Sequence, residues 1–134
     1  MNRQLILDAV EQAATARGYS FHSDSDIGLK LPRSAYPAVW LNPPQFVSKQ
    51  GRTHGKITYS LTMHLMGEGL KLDAAQRAQR WAQMEEDALA IFSAVSLSDK
   101  VVAVNGLKIR CDDVAFAPHG EVVTTATADV VSFY

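Results

Sequence analysis

Between Lys56 and Met66 apolar and polar residues alternate without a break. Ile57, Tyr59, Leu61, Met63 and Leu65 point one way; Thr58, Ser60, Thr62 and His64 point the other. A period of two predicts a strand with one face on the core and one face polar, as in an antiparallel sheet. At ~3.3 Å per residue it spans about 36 Å, so part of it is expected to project as an arm. Two other stretches carry the helical period. Leu5, Ile6, Ala9, Val10, Ala13 and Ala14 place a helix over about Arg3–Arg17, with Asn2 as N-cap and Gly18 as a left-handed C-terminal cap. Trp81, Met84, Ala88, Ile91, Phe92 and Val95, backed by Ala78 and Leu89, place a second over about Ala74–Ser96. Asp73 and Gln76 form its capping box, and Arg77, Arg80, Gln83, Glu86 and Asp87 fill its opposite side.

The remaining segments are shorter. Residues 19–37 are irregular, with one short strand expected around Phe21 or over 27–31. Ala38–Ser48 reads as a strand interrupted by Asn42, Pro43 and Pro44, hence an edge, a bulge or two pieces. Lys49–Lys56 (KQGRTHGK) reads as the mobile, basic loop of a hairpin. Asn105-Gly106, between Val101–Val104 and Leu107–Cys111, is a two-residue hairpin signal, because this pair readily takes positive φ. Val114 and Phe116 extend the second of these strands, and Pro118-His119-Gly120 forms another turn. The last strand, Glu121–Tyr134, has no clear wet face, which predicts cover on both sides, a neighbouring subunit being one candidate. The order expected is α-β-β-α-β-β: one α+β domain over residues 1–134, a mostly antiparallel sheet with two helices packed on one face.

The composition narrows the role. With 47% hydrophobic and 20% charged residues the chain is expected to be globular. A net charge of -1 argues against broad electrostatic capture of nucleic acid. Asp8 and Glu11 interrupt what would have to be a secretory signal, and no run approaches the ~20 apolar residues of a membrane span, so an intracellular protein is expected.

Candidate chemistry is sparse. Cys111 is a single cysteine without metal spacing and reads as a small hydrophobe in a strand. His22, His54, His64 and His119 are scattered, with no HExxH or similar motif. Asp24 and Asp26 resemble the start of a calcium loop, but the twelfth position is Ala35. No GxSxG, SxxK, GxGxxG or Walker pattern occurs. Asp112 and Asp113 could meet Glu85 or Glu86, but neighbours in a strand face opposite sides, so only one could enter such a site. No catalytic, cofactor or metal site is therefore expected. The basic link with Lys49, Arg52, His54 and Lys56 suits an acidic partner surface, and the helix face around Arg77, Arg80, Glu86 and Asp87 is a second candidate interface.

The order of these elements carries a resemblance. An opening helix is followed by SAYPAVWL, the long strand KITYSLTMHL, the helix AAQRAQRWAQMEEDALAIFSAV and the closing segment LKIRCDDVAFAPHGEVVTTATADVVSFY. Over nearly the whole chain this resembles the tail terminator or minor tail protein family of long-tailed phages and prophages. Tyr36–Val39 takes the place of that family's YPAV-type segment, and Phe133–Tyr134 its closing aromatic. The resemblance implies a non-catalytic hexameric ring that caps the tail tube and meets head-completion proteins. DNA would at most pass through it, and the protein would move from host cytoplasm to virion tail. Strand edges, including Val131 and Phe133, and the first hairpin would join neighbours. The Pro43-Pro44 pair and the Gly-rich basic loop have no counterpart in the pattern. A monomeric α+β binding domain for a peptide or small ligand is the competing expectation.

Overall fold

The computed structural model describes residues 2–23, 35–69, 71–112 and 121–134, without the side chain of Asp112. The elements run α1 (Asn2–Ala16), β1 (Ser20–His22), β2 (Ala38–Leu41), β3 (Gln45–Gly51), β4 (Gly55–Gly67), α2 (Ala74–Ser96), β5 (Val101–Asp112) and β6 (Val122–Phe133). The fold is α+β, with the helices on one face of a mostly antiparallel, six-stranded sheet ordered β1-β2-β4-β6-β5. Strand β3 lies beside β2 on the same edge of β4, and among the described residues only the β1–β2 pair is parallel. The observed order thus holds two more strands than expected before α2, since one interrupted strand became two and β1 formed.

Alternation along β4 has the expected effect. Leu61, Met63 and Leu65 are fully buried under the helices with Ile6, Val10, Met84, Ile91 and Phe92. On the opposite face Ala38, Trp40, Met66 and Val123 form a smaller buried cluster, with Ala35 and Tyr36 against it. Strand β6 is central, paired along its length with β4 and β5, so Val123 and Thr125 are buried on the second face while Asp129 and Phe133 are exposed. Cover on both sides therefore holds for one half of β6 within this chain.

The helix ends follow their caps. Asp73 accepts from the Gln76 N–H at 2.8 Å and its own N–H donates to Gln76 Oε1 at 3.0 Å, completing the capping box. At α1 the N–H of Tyr19 donates to Ala14 O and that of Gly18 to Thr15 O, with Gly18 at φ +86°. Asn2 departs from expectation. It lies inside the helix, and its amide donates to Ser132 Oγ at 2.8 Å, joining α1 to β6 instead of capping it.

One open strand expectation is resolved as two pieces, and two others are corrected. Pro43 and Pro44, which cannot donate to a ladder, divide the interrupted strand into the buried β2 and the exposed β3. The basic link is mostly strand: Lys49 belongs to β3 and Lys56 to β4, leaving Arg52–His54 as the turn. Asn105-Gly106 makes no hairpin. Strand β5 runs straight through it, with Asn105 opposite Asp129 and Lys108 opposite Thr127, so one extra residue is accommodated as a bulge with Gly106 at φ +65°. Positive φ serves a bulge as well as a turn. The stretch 27–31, Asp24, Asp26, Val114, Phe116 and His119 lie outside the described residues.

Candidate interaction surface

At one end of the sheet, β3 and the first half of β4 form a hairpin whose outer strand is exposed at every residue. Its turn depends on two glycines: Gly51 has φ +95°, and a Cβ on Gly51 or Gly55 would meet the facing backbone. Phe46 is 59% exposed and Val47 50%. Phe46 touches the ring of Tyr59 edge-on, with centroids 6.1 Å apart, and Val47 falls at a register shift in the β3–β4 pairing. Among the described residues no strand pairs with the outer edge of β3.

Tyr134 fastens this arm. Its N–H donates to Gly55 O at 3.2 Å and its hydroxyl to Gln50 O at 3.0 Å, while the Lys49 ammonium sits 4.7 Å from the ring centroid. The arm also carries Arg52, His54 and Lys56, and no acidic residue occurs from Ala35 to Gly67. The rest of the chain is correspondingly acidic.

Six of the eight candidate interface residues therefore gather here. Lys49, Arg52, His54 and Lys56 belong to the hairpin, Phe133 stands opposite Lys56, and Val131 stands opposite Thr58. Arg77 and Arg80 do not join them. They sit near the other end of β4, where the Arg77 guanidinium donates to Gly69 O at 3.0 Å and lies 5.6 Å from the Trp81 ring centroid. Arg80 approaches the backbone of Gly67. These contacts tie α2 to the β4 end, and thirteen residues of strand at ~3.3 Å each separate that end from the turn of the arm.

The polar face of α2 also needs correction. Asp87 is 5% exposed, not solvent-facing. It accepts from Tyr19 Oη at 2.5 Å, from Arg17 Nη2 at 2.6 Å and from Gln83 Nε2 at 3.1 Å. Burial pushes its pKa up, but these hydrogen bonds outweigh it and hold the carboxylate below its usual range. Burial, reinforced by the bond to Asp87, pushes the Tyr19 phenol up. Conversely Leu89, placed in the core stripe, is 49% exposed, and Ala78 is exposed.

The three described histidines do not converge. His22 stacks on Trp40 at 5.5 Å, His64 pairs with Thr125 Oγ1 at 2.9 Å in a buried site, and His54 is exposed in the turn. Among the described residues no group of three or more His, Cys, Asp or Glu could hold a metal ion. Among them, too, no helix is long and apolar enough to cross a membrane. The missed signal was Phe46-Val47, two apolar residues on a stretch that the proline pair leaves as an edge, a bulge or two pieces.

No protein-family model matches the chain, and no curated protein matches it. Among solved structures it is similar to the type 4 fimbrial biogenesis protein PilO from Pseudomonas aeruginosa, at 10% identity and a TM-score of 0.43, covering 96% of this chain and 67% of that one. A likeness so distant transfers neither fold nor role.

Proposed function

We propose that this chain is a non-catalytic assembly protein that works as a ring of copies of itself, in the manner of a phage tail-completion protein meeting tube and head-completion partners. The observation that carries the self-assembly is the β3 arm, which leaves an unpaired strand edge, Phe46 and Val47 exposed together. Large apolar side chains beside free backbone donors and acceptors favour a protein partner. The phage station rests on the resemblance in element order.

A second reading has its own observation: a groove of about 580 Å³ beside α1, with Leu5 and Ala9 as apolar lining and Gln4, Asp8 and Asp99 as polar groups. That is ligand-sized, so a monomeric binding domain is the alternative. Light scattering across concentration and ionic strength separates the two. The assembly reading expects a mass that rises with concentration toward a fixed multiple. A monomer mass at every concentration would sink it and turn attention to the groove.

A further inference from the structure

A second edge of the sheet lies along β5. Among the described residues β5 pairs only with β6, so β3 and β5 bound opposite sides of the same sheet. Along the β5 edge, on the helix face, a recess of about 230 Å³ is lined by Leu89, Phe92, Ser93, Ser96, Val104 and Leu107. An apolar cavity of roughly 150 Å³ holds a benzene molecule, so this recess has room for a phenyl ring.

Register links the arm to the recess. Phe46 stands opposite Tyr59, Tyr59 opposite Val130, and Val130 opposite Val104, so Phe46 and Val104 end the same row across the sheet. The neighbouring row runs Ser48, Thr58, Val131, Ala103. Phe46 lies on the helix face, since it packs on Tyr59, which joins the helix-side core. Val104 and Leu107 pack against that core as well.

Resting on the self-assembly reading, we infer that Phe46 of one copy fills the α2–β5 recess of the next, with β3 laid along β5 beside Ala103 and Val104. Within one molecule β3 runs antiparallel to β5, because each successive pair between them is antiparallel. A copy rotated about an axis along the strands therefore presents β3 to β5 in antiparallel sense, with its helices on the same side. Because knob and recess share a row, this contact needs no shift along that axis. A head-to-tail contact without such a shift closes into a ring when its rotation divides a full turn, whereas one with a shift climbs into a filament. Lys49 and the irregularities at Val47 and Val102 confine the pairing to a short stretch, as edge strands that must reject other partners do.

The test uses the full chain with the native thiol removed by Cys111→Ser. Ser48→Cys and Ala103→Cys end the row beside Phe46, leaving the knob intact. Under oxidation a mixture of the two single-cysteine chains should give a cross-linked dimer that neither gives alone. The chain bearing both should give a ladder ending at the ring size. Phe46→Ser should weaken association by about tenfold or more, since it removes the apolar ring that the recess would bury. Leu89→Lys, at a half-exposed position that the monomer does not need, should do the same. Cross-linking of the Ser48→Cys chain with itself would mean β3 pairs with β3, overturning the inference. An oligomer indifferent to Phe46→Ser and silent in the mixture would also overturn it while leaving self-assembly standing. A monomer throughout would remove both.

Discussion

Three donors converge on the carboxylate of Asp87, and the balance between their hydrogen bonds and its burial sets how the fold responds to acid. The folded carboxylate has a lowered pKa, so its stabilisation is present above the unfolded value of about 3.9 and is lost as pH falls through the lower folded one. His22, whose pKa is lowered by burial against Trp40, acts in the same direction at higher pH: its contribution begins to fade as pH drops below about 6.5. Tyr19 has the opposite sense, its raised pKa withdrawing stability as pH climbs above about 10. Thermal unfolding followed against pH should show Asp87→Asn losing the steep acid limb below about pH 4, together with about 1–2 kcal/mol near neutrality from weakened hydrogen bonds. An unchanged acid limb would show that other carboxylates set it. None of this was legible in the sequence. Helical period placed Asp87 beside Glu86 on a wet face, and its partners Arg17 and Tyr19 lie 70 and 68 residues away.

Elements were legible where one local force dominates. The Asp73–Gln76 box and the unbroken alternation of β4 each specify their element without tertiary help. The proline pair left an edge, a bulge or two pieces open; the stretch is two pieces, and β3 pairs on one side only among the described residues. Asn105-Gly106 misled because the same positive φ fits a hairpin turn or a bulge, and which forms depends on β6, whose pairing is non-local. Gly106→Ala tests that assignment. Apart from its chain neighbours, no described residue lies within 4 Å of the added Cβ, so the expected cost is backbone strain, about 1–2 kcal/mol in a denaturant titration. A neutral result would mean the bulge tolerates a right-handed residue there.

At the scale of the whole molecule, the candidate surface was half visible. The basic link was recognised from composition, but its partners Phe133 and Val131 arrive only through β4–β6 register, and Arg77 and Arg80 are carried away by the length of β4. The proline pair matters at this scale too. It divides one edge of β4 between a strand buried at every residue, β2, and a strand exposed at every residue, β3. Two neighbouring segments with such different burial open with different free energies. Amide hydrogens of Gln45–Gly51 that point to β4 should therefore exchange through local opening, orders of magnitude faster than those of Ala38–Leu41, which wait for larger unfolding. Equal rates would mean the prolines do not uncouple the two. The uncoupling gives the protein a segment that can be peeled and re-laid without disturbing its core, so occupancy of the arm would be written in its exchange rates before any change in shape.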